Sequence, residues 1–194
     1  MLKTHLNKYD IILASASPRR KQLLEELGIP FKVQTKNVEE SFPPELKPNQ
    51  VAAFLSTLKA NAFHDDELTE RTLIITADTI VTINGEILGK PTDREDAIQI
   101  LQQLSGKGHE VITGVTIRSK QKQVVFSVNT KVYFKQLSTA EIEYYIDTFK
   151  PFDKAGAYGI QEWIGHAAIE KIEGSYFNVM GLPTHRLYEE LMLF

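Results

Sequence analysis

The chain contains no cysteine. That absence removes disulfides, thiolate nucleophiles and Cys-type zinc sites together, and it leaves the fold indifferent to redox compartment. Long apolar runs are missing as well. No segment approaches the ~18 consecutive apolar residues of a membrane helix, and the stretch from Met1 to Tyr9 is followed by no apolar run suited to a signal sequence. A cytoplasmic setting without a membrane is the expectation. Excess positive charge is lacking too: 22 Lys and Arg stand against 25 Asp and Glu, a formal charge of −3. No basic stripe of the kind that tracks a nucleic-acid backbone follows from this balance, so no nucleic-acid polymer is expected as a partner, while a small charged ligand remains open. Neither G-x-x-x-x-G-K-[ST] nor G-x-G-x-x-G occurs. The five histidines, His5, His64, His109, His166 and His185, stand far apart without ligand spacing, which points to structural or surface roles. Ser105-Gly106-Lys107-Gly108-His109 is rich in glycine but follows a predicted helix, the wrong order for a phosphate cradle at a helix start.

What is present is ordinary globular composition: 194 residues, 42% hydrophobic and 24% charged. That length suits one domain or two closely packed halves, and residues 1–194 read as a single domain. Ile11 to Ala14 is a buried-strand run, followed by Ser15-Ala16-Ser17-Pro18 and a helix carrying Leu23, Leu24 and Leu27 up to Gly28. Phe31 to Gln34 reads as a short strand, and Gln50 to Phe63 as a helix carrying Lys59. Leu73 to Ala77 is predicted as a strand ending at Asp78-Thr79, with Ile80–Ile83, Asn84-Gly85 and Glu86–Leu88 as a hairpin after it. A helix from Asp93 to Leu104, a long hairpin from Val111–Arg118 and Val124–Phe134, a helix from Ser138 to Thr148, a strand from Ala167 to Ile172 and a helix from Thr184 to Leu193 complete the prediction. Early alternation of strands and helices with later hairpins predicts an α/β chain with a mixed sheet.

Three groups of residues can carry chemistry. Ser15-Ala16-Ser17-Pro18-Arg19-Arg20 lies between a strand and a helix, where N–H groups, hydroxyls and guanidinium forks converge on an anion-sized space. The bland alternative is that Ser17 only caps the helix and the arginines are solvated. Asp78-Thr79 after a buried strand can hold a divalent ion or take a proton from water, or else simply caps a turn. Glu40, with Glu39 beside it, offers hard oxygen ligands, although adjacent glutamates are also common in solvated loops. Lys59, Lys90 and Lys154 are single cations, the latter two in the glycine-containing settings Gly89-Lys90-Pro91 and Asp153 through Gly159. Gln161 carries an amide able to read the edge of a base. Asp65-Asp66-Glu67 reads as a solvated linker.

Taken in order, Leu13 through Arg20, Ala77-Asp78-Thr79, Gly89-Lys90-Pro91, Leu104-Ser105-Gly106 with His109 and Thr113-Gly114-Val115, Asp153 through Gln161, and Gly181-Leu182-Pro183 resemble the Maf (septum formation inhibitor) family over nearly the whole chain. The resemblance implies an inosine-triphosphatase-like α/β fold, an elongated mixed β-sheet flanked by helices in two lobes with a central cleft. It also implies hydrolysis of a nucleoside triphosphate to the monophosphate and pyrophosphate with Mg²⁺ or Mn²⁺. Carried over residue by residue, Asp78 is the proton acceptor, Glu40 and Asp78 hold the metal, and Lys90 joins them in catalysis. Ser15, Arg19, Arg20, Lys59, Thr79, Lys154 and Gln161 bind the substrate. Arg19 after Pro18, Thr79 after Asp78 and the intact run to Gln161 resemble the dTTP/UTP subgroup rather than the 7-methyl-GTP subgroup, and make Arg19, Thr79 and Gln161 the specificity residues. Glu162-Trp163 departs from the usual glycine-rich continuation, with Trp163 expected to pack beneath the loop or to narrow the base pocket. The same resemblance implies a homodimer, and leaves two rivals: a nucleotide-binding regulator of septum formation without turnover, and a house-cleaning enzyme for modified pyrimidine nucleotides.

Overall fold

The structure is a computed structural model and describes residues 2–194. Its seven strands form one mixed sheet: β1 (Asp10–Leu13), β2 (Lys32–Val33), β3 (Thr72–Ile83), β4 (Glu86–Leu88), β5 (Gly108–Arg118), β6 (Gln123–Phe134) and β7 (Ile169–Glu173). The order is β2-β1-β3-β5-β6-β7, with β4 paired to β3 beside that path. β1 runs parallel to β2 and β3, whereas β3–β4 and β6–β7 are antiparallel. The helices are α1 (Leu2–His5), α2 (Pro18–Glu26), α3 (Pro48–Asn61), α4 (Arg94–Leu104), α5 (Thr139–Phe149), α6 (Trp163–Ala167), α7 (Tyr176–Met180) and α8 (Thr184–Met192). The expected mixed α/β sheet is present.

The chain divides into two compact units, Met1–Asp78 with Thr113–Val128 and Gly181–Phe194, and Thr79–Ile112 with Asn129–Met180. In the first, β1 and β3 are buried because Leu13, Leu73, Ile74 and Ile75 lose all contact with water, the continuous apolar run of a strand covered on both faces. α2 starts where Ser17 accepts from the backbone N–H of Arg20, with Pro18 supplying the fixed φ of a first helical residue. α3 is set on the sheet by a polar bolt. Thr76 Oγ1 donates to the carbonyl of Ser56 at 2.6 Å, and the Ser56 and Thr116 hydroxyls lie 3.0 Å apart, all three residues being buried. Arg118 closes the far end of α3 by donating to the carbonyls of Ala60 and Phe63, both at 2.8 Å, where the helix leaves acceptors unsatisfied.

In the second unit, α4 and α5 begin at Asp93 and Ser138, each accepting from the N–H three residues on. Asn84 and Gly85 both have positive φ, as the tight turn between β3 and β4 requires. His109 is buried edge-on against Phe134 and Tyr158, with Nε2 2.8 Å from the Tyr158 hydroxyl. Burial pushes its pKa down to about 4.

Several element ends shift by one to three residues, and one difference bears on the site. Asp78 and Thr79 do not end a strand: β3 runs on to Ile83, because the β-branched residues after Thr79 continue it and Val81, Thr82 and Ile83 pair with Leu88, Ile87 and Glu86. Asp78 is therefore a carboxylate buried within a strand, 8% exposed. The sequence does not announce the short α1, α6 and α7, since helices of about one turn leave too little periodicity to read.

Two stability predictions follow from these contacts. A Cβ at Gly114 would stand 2.2 Å from the carbonyl oxygen of Ala52 in α3. Gly114→Ala therefore lowers thermal stability by at least about 1–3 kcal/mol, a Tm loss of several degrees in a melting scan. His109 gives a pH dependence. The unfolded chain takes up the imidazole proton near 6.5 and the folded chain only near 4, so the stabilisation is complete above pH 6.5 and drains away as pH falls to 4. Wild type loses on the order of 3 kcal/mol across that window through this group, and His109→Gln flattens the slope of denaturant midpoint against pH there.

Candidate functional site

The first unit brings five of the predicted residues together. Lys59, in the last turn of α3, places its ammonium 2.5 Å from Asp78 Oδ1 and 2.9 Å from Glu40 Oε1. Its position follows from the bolt beneath it: Ser56, one turn earlier, is fixed to β3 and β5, so Lys59 must reach the middle of β3. The side chains of Asp78 and Lys59 are 11% and 17% exposed, and that of Glu40, on the loop before α3, is 45% exposed. This is a semi-buried ion triad, in which an ammonium satisfies two carboxylates that would otherwise repel.

Arg20 stands next to it. Its Nε donates to the carbonyl of Gly181 at 2.8 Å, and one terminal nitrogen reaches the Ser15 hydroxyl at 3.4 Å. Ser15 Oγ also accepts from the Ser17 N–H at 3.2 Å. Burial lowers the Arg20 pKa from the ordinary guanidinium value, an effect opposed by the field of Asp78, deepened by Arg19 and opposed again by Glu40. The cationic first turn of α2, which the helix dipole disfavours, thus sits beside an acidic pair, and Ser17 is a cap as well. Asp78, Glu40, Lys59, Arg20 and Ser15 converge, with Arg19 in the field of Arg20.

The second unit holds Thr79, Lys90, Lys154 and Gln161. Thr79 is half-buried on β3, and Lys90 is exposed in the turn after β4. The loops of Lys90 and Lys154 are stitched together by the Gly156 N–H, which donates to the carbonyl of Gly89 at 3.0 Å. Gly156 has φ 71° with its Cα against Val81, where an added Cβ would lie 2.9 Å from that side chain, so glycine is needed on both counts. Lys154 is not a surface residue: it is 8% exposed, with its ammonium 2.7 Å from Asp153 and 3.2 Å from Glu162. Gln161 has its side-chain oxygen buried and without a hydrogen-bond partner, an acceptor that costs about 1–3 kcal/mol unless something donates to it. Trp163 packs edge-on to Tyr144 with ring centroids 5.0 Å apart, which favours the packing role for that indole.

Sequence reasoning missed Tyr145 and Glu162. The Tyr145 hydroxyl donates to the Glu162 carboxylate and accepts from the Gly159 N–H at 2.9 Å. Tyr145 reads as one more apolar position of an amphipathic helix, and nothing in its spacing announces the hydroxyl's partners.

As a metal site, the acidic pair has the right chemistry and a small donor count. Glu40 and Asp78 converge on a single nitrogen, so their oxygens can also converge on a small hard cation. Among the described residues no group of three or more His, Cys, Asp or Glu could hold a metal. Mg²⁺ characteristically takes one or two carboxylates and fills its octahedron with water and substrate phosphate oxygens, so the pair fits such an ion and not a closed protein cage.

Among the described residues no helix is long and apolar enough to cross a membrane. A sequence profile described as Maf-like protein matches residues 10–194. A protein of Phocaeicola vulgatus named dTTP/UTP pyrophosphatase is 53% identical over 192 residues, covering 96% of this chain and 97% of that one. One of Flavobacterium johnsoniae with the same name is 52% identical over 191 residues, covering 98% of each. Among solved structures, the Staphylococcus aureus Ham1 protein matches with a TM-score of 0.46 and 14% identity over 64% of this chain and 71% of that one. With its profile match running from β1 to the last residue, and relatives identical at half their positions along nearly their full length, the chain belongs to the Maf family.

Proposed function

We propose that this protein is a nucleoside triphosphate pyrophosphatase that hydrolyses dTTP and UTP to the monophosphate and pyrophosphate. The observation that carries the reading is the ion triad Glu40–Lys59–Asp78 beside Arg20 and Ser15, in a Maf chain half identical to proteins named dTTP/UTP pyrophosphatase. We read residues 1–194 as one domain, acting in the cytoplasm as a homodimer.

Cleavage between the α- and β-phosphates needs a water oxygen to bond to phosphorus as the bridging oxygen departs with pyrophosphate. The protein's work is positioning and charge neutralisation. Arg19, Arg20 and Ser15 line the start of α2 and take phosphate oxygens by charge-assisted hydrogen bonds. A triphosphate competes with Asp78 and Glu40 for the Lys59 ammonium, and Lys90 adds a further cation from its exposed turn. Asp78, relieved of its partner, holds the attacking water and accepts its proton. Mg²⁺ or Mn²⁺, when bound by Asp78 and Glu40 with substrate oxygens, supplies Lewis-acid neutralisation of the phosphates. In the base region, the unpartnered Gln161 oxygen accepts from the N3–H shared by thymine and uracil, a donor that cytosine lacks. Arg19 and Thr79 complete the discrimination among nucleotides, and Lys154 contributes its charge near Gln161.

Pyrophosphate release over the canonical triphosphates plus 7-methyl-GTP tests the reading. Turnover is highest for dTTP and UTP, EDTA abolishes it, and Mg²⁺ or Mn²⁺ restores it; no turnover of any nucleotide would overturn it. Asp78→Asn lowers kcat by roughly 10²–10⁴-fold while much of the nucleotide binding is kept, measured by kinetics and calorimetric titration. An unchanged kcat would remove Asp78 from the role of proton acceptor.

A further inference from the structure

Glu162 has no part in the mechanism above, yet its side chain is 18% exposed and ties two elements of the second unit together. It stands at the N-cap position of α6, where a carboxylate ordinarily accepts from the helix's own N–H groups. Its side chain makes no capping bond. It turns instead to Tyr145, whose hydroxyl donates to Oε2, and to Lys154, whose ammonium lies 3.2 Å from Oε1. The Tyr145 hydroxyl in turn accepts from the Gly159 N–H at 2.9 Å, while the Glu162 N–H donates to the carbonyl of Gly159 at 3.0 Å. The turn from Gly159 to Glu162 is thus held at both ends, with Gln161 inside it. It is also packed without slack: a Cβ at Gly159 would lie 2.9 Å from the Glu162 carboxyl carbon and 3.0 Å from the Gln161 amide nitrogen.

We propose that Glu162 is a positioning residue, acting with Tyr145 to lock the Gly159–Gln161 turn and the Lys154 ammonium in one fixed arrangement, and so to set base selectivity. Lys154 has two carboxylate partners of different character. The Asp153 side chain is 60% exposed and that of Glu162 only 18%, so Asp153 meets the competition of water and Glu162 is the anchor. Tyr145 serves as a permanently neutral donor: burial, then the Glu162 hydrogen bond, raise its pKa far above the ordinary phenol value. The inference rests on Gln161 reading the base, as proposed above.

Glu162→Gln keeps the shape and an acceptor for Tyr145 but removes the charge facing Lys154. Tyr145→Phe keeps the ring and removes both hydroxyl bonds. Each lowers the ratio of kcat/KM for UTP over CTP by about tenfold, and the double variant loses no more than the worse single one, because the pair acts as a unit. Fully additive losses, or an unchanged ratio in both singles, would overturn the proposal. Amide hydrogen exchange at Gly159 and Glu162, the two bonded N–H groups of the turn, gives a second reading that needs no substrate. Both variants exchange about tenfold faster at these two amides while amides of β1 and β3 keep their wild-type protection, and unchanged exchange would equally sink the lock. If wild type itself fails to prefer UTP over CTP, base reading by Gln161 fails, and the exchange measurement alone then decides whether the turn is locked.

Discussion

The close approach of α3 to the sheet is the constraint on which the ion triad of this protein depends. Gly114 leaves no room for a side chain between β5 and the Ala52 carbonyl, and the hydroxyls of Ser56, Thr76 and Thr116 tie the same helix down by buried hydrogen bonds. With the helix held there, Lys59 meets Asp78 at 2.5 Å rather than extending to solvent. A looser contact would leave a buried aspartate without its partner inside a strand, a cost of several kcal/mol that no exposed ion pair incurs. Packing and electrostatics are therefore one problem here: the glycine and the three hydroxyls are as necessary to the ion triad as its charges.

The second unit solves a similar problem with different parts. Lys154 is buried between two single 3-10 turns, so its charge must be balanced by carboxylates brought close to it. Glu162 supplies the balance, and Tyr145 on α5 satisfies the carboxylate's other oxygen. Ala157 carries positive φ beside Gly156, and such strained backbone at a residue with a side chain persists only where the surroundings over-determine it. The Gly156–Gly89 hydrogen bond and the tyrosine bridge provide that determination.

Much of this was legible in the sequence, for identifiable reasons. Ser17-Pro18, Asp93 and Ser138 announce helix starts through local chemistry, and Asn84-Gly85 announces its hairpin through backbone preference, so α2, α4, α5 and the β3–β4 turn fall where expected. The grouping of Ser15, Arg20, Glu40, Lys59 and Asp78 came from resemblance, because no spacing rule relates residues this far apart in the chain. Asp78 reads as a strand end because a carboxylate inside a buried strand is costly unless paired, and its partner nineteen positions earlier on a helix is invisible locally. The burial of Lys154 and the roles of Tyr145 and Glu162 were illegible for the same reason: a lysine in a glycine-rich loop reads as solvated until the tertiary fold closes over it.

The charge balance of the first unit indicates how such a site can wait without ligand. Three cations, Arg19, Arg20 and Lys59, face two carboxylates, Glu40 and Asp78, so the cluster carries surplus positive charge for an anion. Lys59 pairs with both carboxylates, which keeps Asp78, the buried one, from losing its ammonium partner. Two carboxylates make a weak site for a hard divalent ion, and the same two already hold an ammonium. On the pyrophosphatase reading proposed above, a triphosphate would change both terms at once: its oxygens would draw the lysine away and add donors beside the carboxylates released. On the same proposal, metal and nucleotide binding would be thermodynamically linked, each strengthening the other by the same factor, with Asp78 uncovered only when a triphosphate is bound.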